Sequence, residues 1–147
     1  HVDGSKIMFL LDNQLEQDCF VIGDLALCKV LLFKDANFPW IILVPKVAGV
    51  SELYELSELD QQVFMEESSC AARMLNELYK PDKLNIAAIG NKVRQLHIHH
   101  IGRFEHDPCW PETVWGYGKG KPYTVHDRDV TLTRTRDFLS NSCNFTY

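Results

Sequence analysis

The chain has 147 residues, 46% hydrophobic and 24% charged, which is enough for one compact domain with a core and short for two. Eight Gly, six Pro and a normal complement of Trp, Tyr and Phe exclude collagen-like and disordered compositions. A net charge of −5, with the six His neutral, argues against an extended nucleic-acid footprint and leaves room for a local basic pocket.

No apolar run approaches the roughly 20 residues needed to cross a bilayer. Lys6 followed by Ile7–Leu11 is only a faint echo of a signal-peptide apolar region, and the opening His1 without a Met reads as an appended remnant. Five cysteines, Cys19, Cys28, Cys70, Cys109 and Cys143, lie far apart with no CxxC pair. That spacing speaks against structural zinc and a disulfide framework, and for a reducing cytoplasm.

In chain order, Cys19–Ile22 is apolar and β-prone, Gly23-Asp24 reads as a turn, and Leu25–Phe33 reads as a buried strand. Asp35-Ala36-Asn37 supplies the next turn, and Trp40–Val44 is a second buried strand closed by Pro45, so the two predict an antiparallel hairpin. Ser57 with Asp60 three residues later marks a helix start. Leu59, Val63, Cys70, Met74 and Leu78 then recur at helical spacing until Lys80-Pro81-Asp82 ends the run. The result is one amphipathic helix of about six turns. Lys83–Ala88 and Leu96–Arg103 read as two further strands around a polar turn at Gly90-Asn91-Lys92. Strand, strand, helix, strand, strand predicts an α+β domain: a mostly antiparallel β-sheet covered by one long helix.

The segment Gln95-Leu96-His97-Ile98-His99-His100-Ile101-Gly102-Arg103 carries the most chemistry. As a strand, it places Gln95, His97 and His99 on one face and Leu96, Ile98 and His100 on the other. Burying an imidazole without partners costs about 1–3 kcal/mol, so polar groups at this spacing in an apolar run need a reason. Two imidazoles two residues apart can share a metal ion, but a third and fourth ligand are lacking, since Asp107 and Cys109 fall beyond the strand end. Chemistry on an anionic ligand is the other reason. A neutral imidazole is a nucleophile, and the ordinary histidine pKa near 6.5 lets neighbouring His residues divide base-like and acid-like roles.

The run from Asn85 through Gly90-Asn91-Lys92 to Arg103 resembles the signature of the histidine triad superfamily of nucleotide hydrolases and transferases, His-x-His-x-His followed by two apolar residues. Upstream, Asp35–Lys46 resembles that family's turn and apolar strand ending in Val/Ile-Pro-Lys/Arg, so the likeness spans roughly residues 19–104. The run Trp110-Pro111-Glu112-Thr113-Val114-Trp115-Gly116 is similar to a segment that follows the triad in a bacterial subgroup.

The resemblance implies nucleophilic attack at the α-phosphorus of a nucleotide through a nucleotidyl-histidine intermediate. Position by position, it assigns His97 as the nucleophile and His99 as the last His, which contacts phosphate and helps the leaving group. Asn85 matches a polar residue near the substrate, and Gly90-Asn91 occupy a phosphate-facing turn. It also implies a homodimer and no cofactor.

Three departures stand out. Gln95 occupies the first triad position, where an amide cannot exchange a proton but can hydrogen-bond and orient an imidazole. Lys92 replaces a small hydroxyl residue and offers a cation to phosphate, and His100 replaces an apolar residue. The resemblance thus implies a phosphohydrolase of the dinucleoside polyphosphate or nucleoside phosphoramidate type. A nucleotide-binding or regulatory module with weak or no catalysis is the alternative that Gln95 raises. Residues 1–104 then form the nucleotide-binding domain with an N-terminal extension, and 105–147 a Trp-, Gly- and Pro-rich tail packed on it. Within that tail Lys119 and Lys121 read as solvated, and Thr124–Phe138 as a late helix or an arm.

Overall fold

A computed structural model describes residues 8–147. The expected remnant at His1 and the Lys6-Ile7 start of the N-terminal apolar stretch lie outside the described residues, while residues 8–11 of that stretch are irregular.

Six strands form one antiparallel sheet: β1 (Cys19–Leu25), β2 (Cys28–Phe33), β3 (Trp40–Pro45), β4 (Lys83–Ala88), β5 (Ile98–Arg103) and β6 (Phe145–Thr146), in the spatial order β4-β5-β3-β2-β1-β6. A short helix α1 (Asn13–Asp18) precedes the sheet, α2 (Glu58–Tyr79) crosses it, and α3 (Val125–Ser142) follows. The expected α+β architecture, a largely antiparallel sheet under a long helix, is the one observed. The late helix takes the place left open between helix and arm.

α2 begins where its sequence says it should. The Ser57 hydroxyl accepts from the Asp60 N–H, and Glu58 and Asp60 lie at the positive end of the dipole. It ends at Lys80, which takes the left-handed conformation (φ 51°) just ahead of Pro81. Its inner stripe, Phe64, Cys70, Ala71, Met74 and Leu75, packs on Ile22, Val30, Leu32, Ile41, Leu43 and Ile98. Met74 and Leu75 are fully buried, each contributing about 1.5–3 kcal/mol. The opposite face carries a second core of Leu15, Leu31, Phe38, Trp40, Ile42, Ile101 and Val114, so β3 is buried on both sides.

Three expectations need correction. Gly23-Asp24 is no turn: β1 runs through it with a bulge between Val21 and Gly23, and the hairpin turns at Ala26-Leu27. Glycine is required there by its neighbour, since a Cβ would come within 2.5 Å of the Phe145 ring and the Thr146 carbonyl on β6. The strand expected from Leu96 starts at Ile98, leaving Gln95 and His97 in the irregular stretch before it. Third, Cys70 on α2 and Cys143 at the end of α3 form a disulfide, with Cα atoms 6.6 Å apart. The pair is 73 residues apart in sequence, and only the docking of α3 beside α2 brings it together. Among the described residues no helix is long and apolar enough to cross a membrane.

Candidate active site

β5 presents the histidines to opposite sides of the sheet. In register, His99 faces Ile42 and Ala87, while His100 faces Ile41 and Ile86. His99 therefore lies on the sheet face away from α2, and His100 lies beneath the helix. His100 is fully buried, with Nδ1 donating to the Ile98 carbonyl (3.1 Å) and Nε2 accepting from the Ser68 hydroxyl of α2 (2.7 Å). This accounts for its packing: it is a satisfied core histidine, and burial pushes its pKa down to about 4.

His97 and His99 stand edge to face with ring centroids 5.1 Å apart. A carbonyl can only accept, so the 2.7 Å contact of His97 Nδ1 with the Gln95 carbonyl two residues back places a proton on Nδ1, and in the neutral tautomer of the ring the lone pair is then on Nε2. His99 has the reverse arrangement. The indole Nε1–H of Trp40 donates to His99 Nδ1 at 2.9 Å, which leaves the His99 proton on Nε2. Burial, then the neighbouring His97 and His100, pushes the His99 pKa down to about 3, so its ring is neutral at physiological pH.

A cavity of about 770 Å³ opens beside His97, lined by Gly90, Asn91, Arg94 and Gln95 with Ser51 and Glu52 opposite. Gly90 and Asn91 thus reach the nucleophile candidate's cavity. Lys92 does not: it lines a separate depression with Asp12, Gln14 and Asp18, and the basic residue that shares the His97 cavity is the exposed Arg94, for which the sequence carried no signal. The path of the loop between β4 and β5 decides which basic residue borders the cavity, and both side chains are exposed. The Gln95 side chain is also elsewhere than expected. Its amide donates to the Leu10 carbonyl (2.8 Å) and accepts from the Asp12 N–H (2.9 Å), fastening the segment before α1, and the imidazole is met by the Gln95 backbone.

Asn85 shares the face of His99 but is engaged. Its amide oxygen accepts from Arg103 (2.9 Å), and it does not line the cavity at His97. Arg103, 1% exposed, is the hub of the tail. It forms a two-pronged ion pair with Asp107 (2.8 and 3.1 Å) and donates to the Glu112 carbonyl (2.8 Å), with the rings of Phe38 and Trp110 beside it. Burial opposes ionisation of Asp107, but the Arg103 hydrogen bond and the N–H groups of Phe104 and Cys109 outweigh it and hold the pKa at about 2. The segment folded around this pair buries Val114 and sets Trp115 edge-on to His99 (5.2 Å) and Trp40 (6.1 Å). Farther along, the Lys121 backbone is pinned by Asp35.

Among the described residues no three His, Cys, Asp or Glu side chains converge on a metal-sized site. The surviving constellation is the His97 imidazole on the wall of an open cavity bordered by the Gly90-Asn91 turn and Arg94, with the neutral His99 ring packed 5.1 Å behind it and not itself among the lining residues.

The HIT domain family model matches residues 14–106. The chain belongs to the histidine triad (HIT) family. Its likeness to solved HIT proteins extends past the matched region into the tail. A histidine triad protein from Marinobacter aquaeolei VT8 is 42% identical, with a TM-score of 0.89 over 92% of this chain and 98% of that one. A histidine triad protein from Bradyrhizobium japonicum is 41% identical, with a TM-score of 0.87 over 89% and 98%. A hypothetical histidine triad nucleotide-binding protein from Sulfolobus tokodaii, at 17% identity and a TM-score of 0.63 over 86% and 87%, shares the fold. A search of curated proteins finds no match.

Proposed function

We propose that this HIT protein is a nucleotide phosphohydrolase that attacks the α-phosphorus of a nucleotidyl compound with His97. The supporting observation is the tautomer at His97: the Gln95 carbonyl holds the proton on Nδ1 and leaves Nε2 as a lone pair on the wall of an open cavity. In the first step the His97 Nε2–P bond forms and the bond from phosphorus to the leaving group breaks. The positive charge that develops on the ring is stabilised through Nδ1–H by the same carbonyl. Water then attacks phosphorus, the P–N bond breaks, the nucleoside monophosphate leaves with a proton released to solvent, and His97 returns to its starting tautomer. Arg94 and the Gly90-Asn91 turn supply charge and hydrogen-bond donors to the phosphate oxygens, and His99 Nε2–H is directed to the leaving group.

The homodimer implied by family likeness belongs to the same proposal. It is supported by the open outer edge of β4, where Ile86 is 51% exposed, and light scattering at working concentration checks it. The reaction is tested with His97→Ala and a panel of adenosine polyphosphates and phosphoramidates. Release of AMP by the native chain and its loss in the variant support hydrolysis. Unchanged AMP release by the variant refutes it, and tight nucleotide binding by a native chain that turns over nothing favours the binding-module alternative.

A further inference from the structure

Trp40 is 5% exposed and locked on all sides. Phe33 packs against its ring at 4.2 Å between centroids, Phe38 and Trp115 meet it edge-on, and its one polar atom is spent on His99 Nδ1. An indole N–H can only donate. His99 Nδ1 must therefore keep its lone pair, and the single proton of the neutral ring sits on Nε2. Protonating His99 would set a second N–H against the Trp40 N–H across 2.9 Å, two donors with no acceptor between them. Nε2 has no hydrogen-bond partner among the described residues, and since no fully buried side-chain nitrogen or oxygen in that set is unpaired, this atom keeps some access to the site.

We propose that Trp40 is a positioning residue that makes His99 a neutral hydrogen-bond donor and not a proton donor, which confines efficient turnover to leaving groups that depart as oxyanions. The proposal rests on nucleotidyl transfer to His97. When a P–O bond to a phosphate leaving group breaks, the electron pair goes to an oxygen that is stable as an anion and needs only the hydrogen bond from His99 Nε2–H. No proton changes hands. When a P–N bond breaks, the amine nitrogen must take up a proton with the electron pair. His99 cannot supply it: giving up Nε2–H while Nδ1 is unprotonated would leave an imidazolate. The same pocket therefore discriminates by the chemistry of the departing atom, even between substrates with one common nucleotide.

Two readouts test this on the full chain. With 15N-labelled protein, a through-hydrogen-bond coupling between Trp40 Nε1 and His99 Nδ1 is expected, with the His99 proton on Nε2. Adenosine diphosphate-type phosphoanhydrides and an adenosine phosphoramidate of a simple amine are then compared at equal concentration, where at least a hundredfold faster turnover of the anhydride is expected. Trp40→Phe keeps the packing and removes the donor. It should slow anhydride turnover about tenfold, the scale of one lost hydrogen bond, and narrow the gap between the two substrates. A His99 proton on Nδ1, absence of the coupling, or equal turnover of amine and anhydride by the native chain would each overturn the proposal, and the native-chain readouts stand even if the variant fails to fold. Failure of nucleotidyl transfer shows separately, as His97→Ala activity equal to native, while the coupling still decides the tautomer.

Discussion

Replacing Asp107 with Asn tests the buried ion pair that ties the tail to the sheet. The carboxylate accepts from Arg103 Nε and a second guanidinium nitrogen, and from the N–H groups of Phe104, Cys109 and Trp110, with both charged side chains only 2% exposed. Asn matches the shape, but one of its two terminal atoms becomes a donor facing donors, and the Arg103 charge is left buried without a counter-ion. Removing one partner of such a pair costs about 3–5 kcal/mol. The ionisation part can be placed separately. A folded pKa near 2 against about 3.9 unfolded corresponds to roughly 2 kcal/mol at neutral pH. Because the folded value is the lower one, this part is fully present above about pH 4 and is lost as pH falls through about 2. Thermal unfolding at pH 7 should show Asp107→Asn melting about 10 °C below the native chain, at roughly 2–4 °C per kcal/mol for this size. The gap should shrink near pH 2. A shift under about 2 °C at pH 7, or a gap that does not depend on pH, would refute the role given to this pair.

Two further outcomes follow from other buried groups. Cys70→Ser removes a cross-link spanning 73 residues, and the chain-entropy limit puts the loss at about 4 kcal/mol; denaturant titration should show it, and added reductant should destabilise the native chain but not the variant. Ser68→Ala leaves His100 Nε2 without its donor in a fully buried site, so a stability loss of about 1–3 kcal/mol is expected by the same titration, whereas no loss would mean that the bond contributes nothing.

The parts of the fold that depend on local patterning could be read from the sequence. The apolar runs at Cys28–Phe33 and Trp40–Pro45 and the capped helical stripe from Glu58 each encode their own element, so each was placed to within a few residues. Gly23-Asp24 misled because glycine there answers to a strand more than a hundred residues away, and a contact so distant leaves no local mark. The pairing of Cys70 with Cys143 was hidden for the same reason.

In the site, alternation along the chain brought out His97 and His99 as neighbours, although His97 precedes the strand proper. Their supports were not visible. Trp40 looked like one more core aromatic, and its donor role depends on a diagonal contact between β3 and β5. Arg103 carries no local signal beyond its place at a strand end, and its burial depends on Asp107 and the tail folding back over it. The choice between Lys92 and Arg94 depends on the course of an irregular loop, which has no period to read.

The most direct measurement is the site of covalent attachment. Rapid acid-free quenching of the native chain with a nucleotidyl substrate, followed by peptide mass analysis, should find one nucleoside monophosphate on His97, labile to acid as a P–N bond is, and none on His97→Gly. Label on another residue, or steady turnover by His97→Gly at the native rate, would contradict nucleophilic catalysis by His97.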